Sequence, residues 1–260
     1  MTEWGIERAV TELLDREATR RVGGRITTEW PGLDLATAYD VQDALVRRKV
    51  DAGESVVGVK LGLTSRAKQE RMGIDSPLTA WLTDAMVLPA GEPVPLGELI
   101  HPRVEPEIVF VLGEQLRGPG VTAATALAAV RSVHAGFEVI DSRYRDFSFA
   151  LPDVVADNAS SARFVVGAKG LPPSAIDLGL EACLLGVDGK VVASATGAAV
   201  QGHPAEALAL AANALGRRGV ALEPGWIVLT GGLTDAVFVE RGQEVTADFT
   251  SLGSLSVTGR

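Results

Sequence analysis

Short apolar runs, separated by glycine, proline and aspartate, fill the sequence from Ser55 onward. Runs of roughly four to eight residues bounded by turn-forming residues predict strands. We predict strands at residues 56–61, 104–112, 136–140, 163–166, 182–187, 190–194, 226–229, 236–239 and 244–249. Because few helical segments lie between them, this pattern argues against a doubly wound parallel sheet. It favours a mixed, rolled or barrel-like sheet with helices packed outside.

Helical periodicity is concentrated before residue 55. Apolar residues recur at helical spacing over residues 3–21 and 35–52, and Gly53 is placed to cap the second helix. Two more helices are predicted, a short one at 66–72 and another at 204–215. The chain has no internal repeat and no low-complexity linker. We therefore predict an α+β fold with one domain, residues 1–260, in which an N-terminal helical part (1–54) caps a β-rich catalytic core (55–260).

Charge and cysteine content narrow the possible partners. The 260 residues carry a net charge of −9 at pH 7, so a phosphate backbone would be bound against the overall field, and we expect no nucleic-acid partner. The single cysteine, Cys183, lies in an apolar run, which predicts a buried thiol in a reducing compartment. Neither an apolar run of roughly 20 residues nor a signal peptide is evident. We expect a cytoplasmic protein that does not contact membranes.

Three glutamates form the strongest candidate site. Glu105 and Glu107 are separated by one residue in a predicted strand and so face the same side, and Glu138 lies in a second apolar run. Ionised carboxylates held this close repel each other, so the arrangement favours a cation between them unless one stays protonated or water screens both. Oxygen ligands suit Mg²⁺ or Mn²⁺ and leave room for a chelating 2-oxo acid. The alternative is a pair of solvated side chains on an edge strand, since Pro106 between them cannot donate to a ladder.

Other polar residues could bind a substrate near these carboxylates. Lys60 ends a predicted strand, where it could stabilise a developing enolate oxygen or lie in solvent. Arg143 and the segment 157–161 suit recognition of a carboxylate, or form a salt-bridged loop. Glycines near residue 231 could bring backbone amides close to a ligand, or form a tight turn. The sequence has no phosphate-binding glycine loop after a strand and no Gly-x-Ser-x-Gly elbow, which disfavours phosphoryl transfer, hydride transfer and serine hydrolysis.

Several ordered segments resemble a known family. Residues 58–65 (GVKLGLTS), 100–110 (IHPRVEPEIVF), 138–143 (EVIDSR) and 156–161 (ADNASS) resemble the hydratase/decarboxylase branch of the fumarylacetoacetase superfamily. That branch contains 2-hydroxypenta-2,4-dienoate hydratases and 4-oxalocrotonate decarboxylases of catechol meta-cleavage pathways. Residues 72–77, 116–120 and 142–147 resemble the decarboxylases in particular. The resemblance implies a mixed rolled β-structure of the fumarylacetoacetase C-terminal type with outlying helices.

The resemblance also implies a site and a reaction. It places Mg²⁺ or Mn²⁺ on Glu105, Glu107 and Glu138 and implies roles for Lys60 and the segment 157–161 in binding the substrate. We predict that Lys60 is the catalytic residue. We expect the substrate to be bound by Leu61, Ser65, Asp75, Arg143, Asp157, Asn158, Ser160, Ser161, Gly231 and Thr234. The implied reaction is decarboxylation of 2-oxohex-3-enedioate, a small 2-oxo dicarboxylic acid, to 2-hydroxypenta-2,4-dienoate.

The same residues are compatible with other functions. One is hydration of that dienoate with the same metal. Others are C–C hydrolysis of an acylpyruvate, which would need an activated water and its base, and a non-catalytic subunit that binds a partner enzyme. We expect a homo-oligomer, and the resemblance implies a possible complex with the partner hydratase.

Overall fold

The fold is seen in a computed structural model of the chain, which describes residues 3–65, 69–70, 73–74 and 77–260. The helices are α1 (Ile6–Thr19), α2 (Ile26–Glu29), α3 (Leu35–Asp51), α4 (Ala123–Ala128), α5 (Leu151–Ala156) and α6 (Pro204–Arg217). The strands are β1 (Val56–Gly62), β2 (Leu78–Thr83), β3 (Arg103–Leu112), β4 (Val130–Ile140), β5 (Ser161–Leu171), β6 (Ala182–Val187), β7 (Lys190–Thr196), β8 (Ile227–Gly232), β9 (Val237–Phe238), β10 (Glu244–Phe249) and β11 (Gly253–Thr258). The α+β class predicted from the sequence is confirmed.

Two sheets make up the β-rich part. The larger has the order β2-β1-β8-β3-β4-β5, with β9 added to β3, and the smaller has the order β11-β10-β6-β7. Strands β1 and β8 are parallel, whereas the other pairs are antiparallel. This mixed arrangement excludes a doubly wound parallel sheet, as predicted.

The larger sheet is rolled without closing into a barrel. Beyond β2, Val87 forms a bridge with Phe164 of β5, and the N–H of Leu88 donates to the Phe164 carbonyl at 2.8 Å. The side chain of Asn158 links the segment before β5 to β2, because it accepts from the N–H of Trp81 and donates to the Trp81 carbonyl, each at 2.9 Å. The chain at the β2 edge therefore comes close to the beginning of β5, but β2 and β5 do not pair as strands.

The N-terminal helices pack against one end of this sheet. Asp34 caps α3 by accepting from the N–H of Thr37 at 2.8 Å, and Gly53 follows the helix with a φ of 112° that favours glycine. Apolar side chains of α1 and α3 form a buried cluster with Leu78 and Tyr144. Since α5 belongs to the same cluster, the helices lie directly beside the segment that precedes β5.

Some elements differ from the sequence-based prediction. Strand β4 begins at Val130 rather than at residue 136, and β2, β11, α4 and α5 were not predicted. Strand β2 is buried on both faces, so it lacks the alternation of a half-buried strand. The predicted helix at 66–72 falls mostly on residues outside those described. Within the described chain, no helix is long and apolar enough to span a membrane.

Cys183 is buried on β6, as predicted, and is not disulfide-bonded. Burial, with smaller effects of Asp248 and Glu181, raises the pKa of its thiol to about 12. This thiol is therefore an inert apolar side chain of the core.

Candidate metal centre and substrate cavity

Neighbouring strands bring the three predicted carboxylates together. Glu105 of β3 pairs directly with Glu138 of β4, and Glu107 follows two residues later on the same face of β3. One carboxylate oxygen from each lies within 4.8 Å of the others. Because β3 lies between β8 and β4, the alternative of a solvated edge strand is excluded.

Pro106 is accommodated because of where β8 ends. Its carbonyl accepts from the N–H of Leu233, one residue beyond β8, at 3.0 Å. In a strand the N–H and C=O of one residue point to the same side, so the missing donor of Pro106 faces this irregular segment. The central position of β3 and the presence of a proline are therefore compatible.

Burial and mutual repulsion make this cluster costly without a cation. Glu107 is fully buried; its Oε2 accepts from the N–H of Gly231 at 2.7 Å, whereas its Oε1 has no hydrogen-bond partner among the described residues. Burial, followed by the charges of Glu138 and Glu105, raises the pKa of Glu107 well above its ordinary value. A buried carboxylate that is clustered with two more carboxylates, and that has one oxygen without a hydrogen-bond partner among the described residues, fits a hard divalent cation such as Mg²⁺ or Mn²⁺.

Lys60 completes the charge arrangement. It is 4% exposed on β1, and its Nζ lies 3.0 Å from Oε1 and 3.1 Å from Oε2 of Glu138. The hydroxyl of Ser161 donates to Oε1 of the same glutamate at 3.1 Å. A solvated strand end is thus excluded for Lys60, which places a buried positive charge beside the carboxylate cluster.

A cavity of about 200 Å³ opens beside Lys60 and Glu105. It is lined by Lys60, Leu61, Gly62, Leu63, Thr64, Ser65, Leu78, Glu105, Ile140, Phe147, Phe149, Val154, Ala159, Ser160 and Gly232. Leucine, isoleucine, valine and phenylalanine dominate this surface, and no arginine lies among its described residues. The cavity therefore offers a small polar region next to the carboxylates and otherwise apolar walls.

The predicted substrate-binding residues fall into three groups. Leu61, Ser65 and Ser160 line the cavity. Ser161 and Gly231 donate to the candidate metal ligands. The remaining described residues, Arg143, Asp157, Asn158 and Thr234, are not among the described lining residues, and Asp75 lies outside the described part of the chain. A direct contact of each with substrate stays a prediction.

Arg143 and Asp157 form a buried ion pair behind the cavity wall. The Arg143 Nε donates to the Asp157 carboxylate, and its Nη1 donates to the Asp141 carbonyl at 2.8 Å. Burial raises the pKa of Asp157 to about 6 and outweighs the opposing effect of Arg143. The N–H of Asp141 donates in turn to the carbonyl of Ser160 at 2.8 Å, which connects this pair to the cavity wall.

The wall itself has an unusual backbone. Asn158, Ala159 and Ser160 are consecutive non-glycine residues with φ values of 46°, 50° and 59°. Left-handed conformations of such residues cost free energy and persist where surrounding contacts enforce them. Phe147 and Phe149 were not predicted as wall residues, although two aromatic side chains directly after a charged run were a usable signal.

Fold and site together define a family. The chain belongs to the Fumarylacetoacetate (FAA) hydrolase C-terminal family, which matches residues 55–258. This agrees with the resemblance inferred from the sequence motifs.

Curated relatives carry two activities. The 4-oxalocrotonate decarboxylase of Pseudomonas sp. (strain CF600) is 43% identical over 232 residues, which are 89% of this chain and 88% of the relative. The 2-hydroxyhexa-2,4-dienoate hydratase of Comamonas testosteroni is 36% identical over 254 residues, 97% of this chain and 96% of the relative. A solved structure, the 4-oxalocrotonate decarboxylase from Pseudomonas putida G7 complexed with magnesium and adipate, is 38% identical with a TM-score of 0.95. The match covers 98% of this chain and 97% of the chain in that structure.

Proposed function

We propose that this protein decarboxylates 2-oxohex-3-enedioate to 2-hydroxypenta-2,4-dienoate and CO₂, with Mg²⁺ or Mn²⁺ as cofactor. The observation that carries the proposal is the cluster of Glu105, Glu107 and Glu138 with the buried Lys60, beside a cavity with otherwise apolar walls. The similarity to 4-oxalocrotonate decarboxylases over most of the chain supports it.

The carboxylate cluster would hold the metal, and Lys60 would act on the reacting oxygen. A bound Mg²⁺ or Mn²⁺ supplies Lewis-acid polarisation of a 2-oxo acid. When the bond between C5 and the distal carboxylate breaks, its electron pair moves through the C3–C4 double bond to the C2 oxygen, and protonation of that oxygen gives the hydroxydienoate. The ammonium group of Lys60 adds positive charge near the cluster, where it stabilises the developing negative charge.

The apolar walls suit the departure of CO₂. Leu63, Phe147 and Phe149 offer no hydrogen bond to a carboxylate, and the described lining has no arginine to pair with one. A carboxylate placed against such a surface loses favourable solvation that neutral CO₂ does not need. Ser65 and Ser160 supply hydroxyls that can orient the polar end of the substrate.

Product analysis tests the assignment. The purified protein with Mg²⁺ should release one CO₂ per 2-oxohex-3-enedioate consumed and produce 2-hydroxypenta-2,4-dienoate, and EDTA should abolish the reaction. Hydration of that dienoate is the second candidate, because hydratases are also similar to nearly the whole chain. Consumption of the dienoate with no CO₂ from the dienedioate would favour the hydratase and reject decarboxylation.

Self-association is a further part of the proposal. The smaller sheet exposes Leu184 of β6 and Val191 and Val192 of β7, which are 44%, 60% and 49% exposed, and Leu180 just before β6 is 72% exposed. Because β7 is an edge strand of this sheet, its exposed valines favour burial against a second copy of the chain. Light scattering should give the molar mass of at least a dimer for the wild type and a lower molar mass for Val191→Asp. A monomeric wild type would contradict the proposal. A complex with a partner hydratase and a cytoplasmic location remain expectations from the sequence.

A further inference from the structure

Arg103 lies on the same face of β3 as the candidate metal ligands, two residues before Glu105. Its guanidinium carbon is 4.2 Å from the ring centroid of Phe147 and 4.3 Å from that of Phe238. Phe238 is the residue of β9 that pairs directly with Arg103. The guanidinium group is therefore in contact with two aromatic rings, one of which belongs to the substrate cavity.

These ring contacts are the principal contacts of the Arg103 guanidinium. Its Nε is buried and has no hydrogen-bond partner, and no carboxylate pairs with it among the described residues. By contrast, Arg143, Arg163 and Arg218 each pair with a carboxylate. A guanidinium group over an aromatic face makes a cation–π interaction, which strengthens as the group loses contact with water. Removing Arg103 therefore removes support for Phe147 without leaving a buried carboxylate unpaired.

Phe147 is held in place from more than one direction. Its φ of 53° follows an Asp146 φ of 54°, so the ring is carried by a backbone conformation that few side chains adopt freely. The ring also stacks on His101, with centroids 4.7 Å apart and an interplanar angle of 26°. Arg103 and His101 together restrict the ring that lines the cavity.

We propose that Arg103 is a positioning residue for substrate binding: through its stacking on Phe147, it fixes one wall of the substrate cavity. Arg103 is not among the residues described as lining the cavity, so its effect passes through the phenyl ring. Loss of the stacking allows Phe147 to leave its position, and the cavity then fits the substrate less well. This inference rests on the proposed function for the identity of the substrate.

A double-mutant cycle tests whether Arg103 affects substrate binding through Phe147. Arg103→Met should raise KM for 2-oxohex-3-enedioate about tenfold with kcat changed less than about threefold. Phe147→Ala should raise KM at least as much. In the Phe147→Ala background, Arg103→Met should change KM by less than about twofold, because the phenyl ring that Arg103 contacts is absent. A full tenfold effect in that background would overturn the proposal. Phe147→Leu serves in place of Phe147→Ala if the alanine variant does not fold.

A binding measurement separates this inference from the proposed reaction. Calorimetry with adipate and Mg²⁺ should give the same pattern of affinities across the four proteins of the cycle as KM does. A wild type that binds adipate but releases no CO₂ from 2-oxohex-3-enedioate rejects the decarboxylase function, and adipate affinities then decide the role of Arg103 alone. A wild type that binds no adipate overturns the proposal.

Two controls exclude indirect effects. Arg8 also stacks on an aromatic ring, with its guanidinium carbon 4.2 Å from the Trp4 centroid, but it lies on α1. Arg8→Met should therefore leave KM and adipate affinity unchanged. Arg103→Met should retain wild-type Mn²⁺ affinity. A parallel loss of Mn²⁺ binding would mean that Arg103 acts on Glu105 and would overturn the route through Phe147.

Discussion

Glu107→Gln should lower Mn²⁺ affinity at least tenfold and kcat/KM about a hundredfold or more. Glu107 is the most buried member of the cluster, and its Oε1 has no hydrogen-bond partner among the described residues. Loss of an outer partner of a metal ligand typically costs about 10–100-fold in affinity or activity, so loss of a ligand charge should cost at least as much. Calorimetric titration with Mn²⁺ and steady-state kinetics measure the two effects.

The same substitution, which weakens metal binding, should stabilise the metal-free protein. Burial and the neighbouring carboxylates raise the pKa of Glu107, so the folded chain holds a proton that the unfolded chain releases above about pH 4.5. The contribution of Glu107 to stability therefore falls as pH rises above about 4.5, where the unfolded chain loses this proton and the folded chain still holds it. Glutamine does not titrate and can still accept from the N–H of Gly231. In EDTA, the variant should become increasingly more stable than the wild type from about pH 4.5 upward, as measured by urea unfolding.

A matched control distinguishes a ligand effect from a general charge effect. Glu114 lies two residues beyond the end of β3 and is exposed. Glu114→Gln removes the same charge from the same part of the chain and should leave Mn²⁺ affinity, kcat/KM and the pH dependence of unfolding unchanged. If Glu107→Gln binds Mn²⁺ as tightly as the wild type, the carboxylate cluster is not the metal site.

The carboxylate cluster could be predicted from the sequence because its geometry is partly local. The spacing of Glu105 and Glu107 fixes their common face in any strand, and the apolar neighbours of Glu138 indicate a buried carboxylate. The direct pairing of Glu105 with Glu138 could not be derived in this way. It depends on the register between β3 and β4, which are separated by a connection that contains α4. A shift of one residue would turn Glu138 to the opposite face of the sheet.

The cavity wall was harder to predict because its conformation depends on distant contacts. Positive φ values at Ala159 and Ser160 contradict local preference and are maintained through the buried pair of Arg143 and Asp157. The amide of Asn158 was expected at the substrate, and in the structure it is occupied by the backbone of Trp81. The sequence shows which polar residues are available in this segment, but the partner of Asn158 comes from β2, which lacks a recognisable strand pattern.

Lys60→Met should reduce kcat about 10²–10³-fold without lowering Mn²⁺ affinity. Methionine keeps much of the length and the apolar stem but removes the charge that we place beside the developing enolate oxygen, and loss of one such electrostatic contact typically costs about this much. The Nζ of Lys60 contacts both carboxylate oxygens of Glu138, so the ammonium group competes with a metal for that ligand. Removing it should leave Mn²⁺ affinity unchanged or increase it.

A fall in kcat without a fall in Mn²⁺ affinity would distinguish a catalytic role of Lys60 from a structural one. Lys49→Met is the matched control, since Lys49 also pairs with a glutamate, Glu17, but joins α3 to α1 far along the chain from the cluster. This control should retain wild-type kcat. If Lys60→Met loses Mn²⁺ affinity in proportion to kcat, Lys60 serves mainly to hold Glu138 in place. If kcat stays within about twofold of the wild type, the buried positive charge does not stabilise the transition state, and the enolate would depend on the metal alone for its stabilisation.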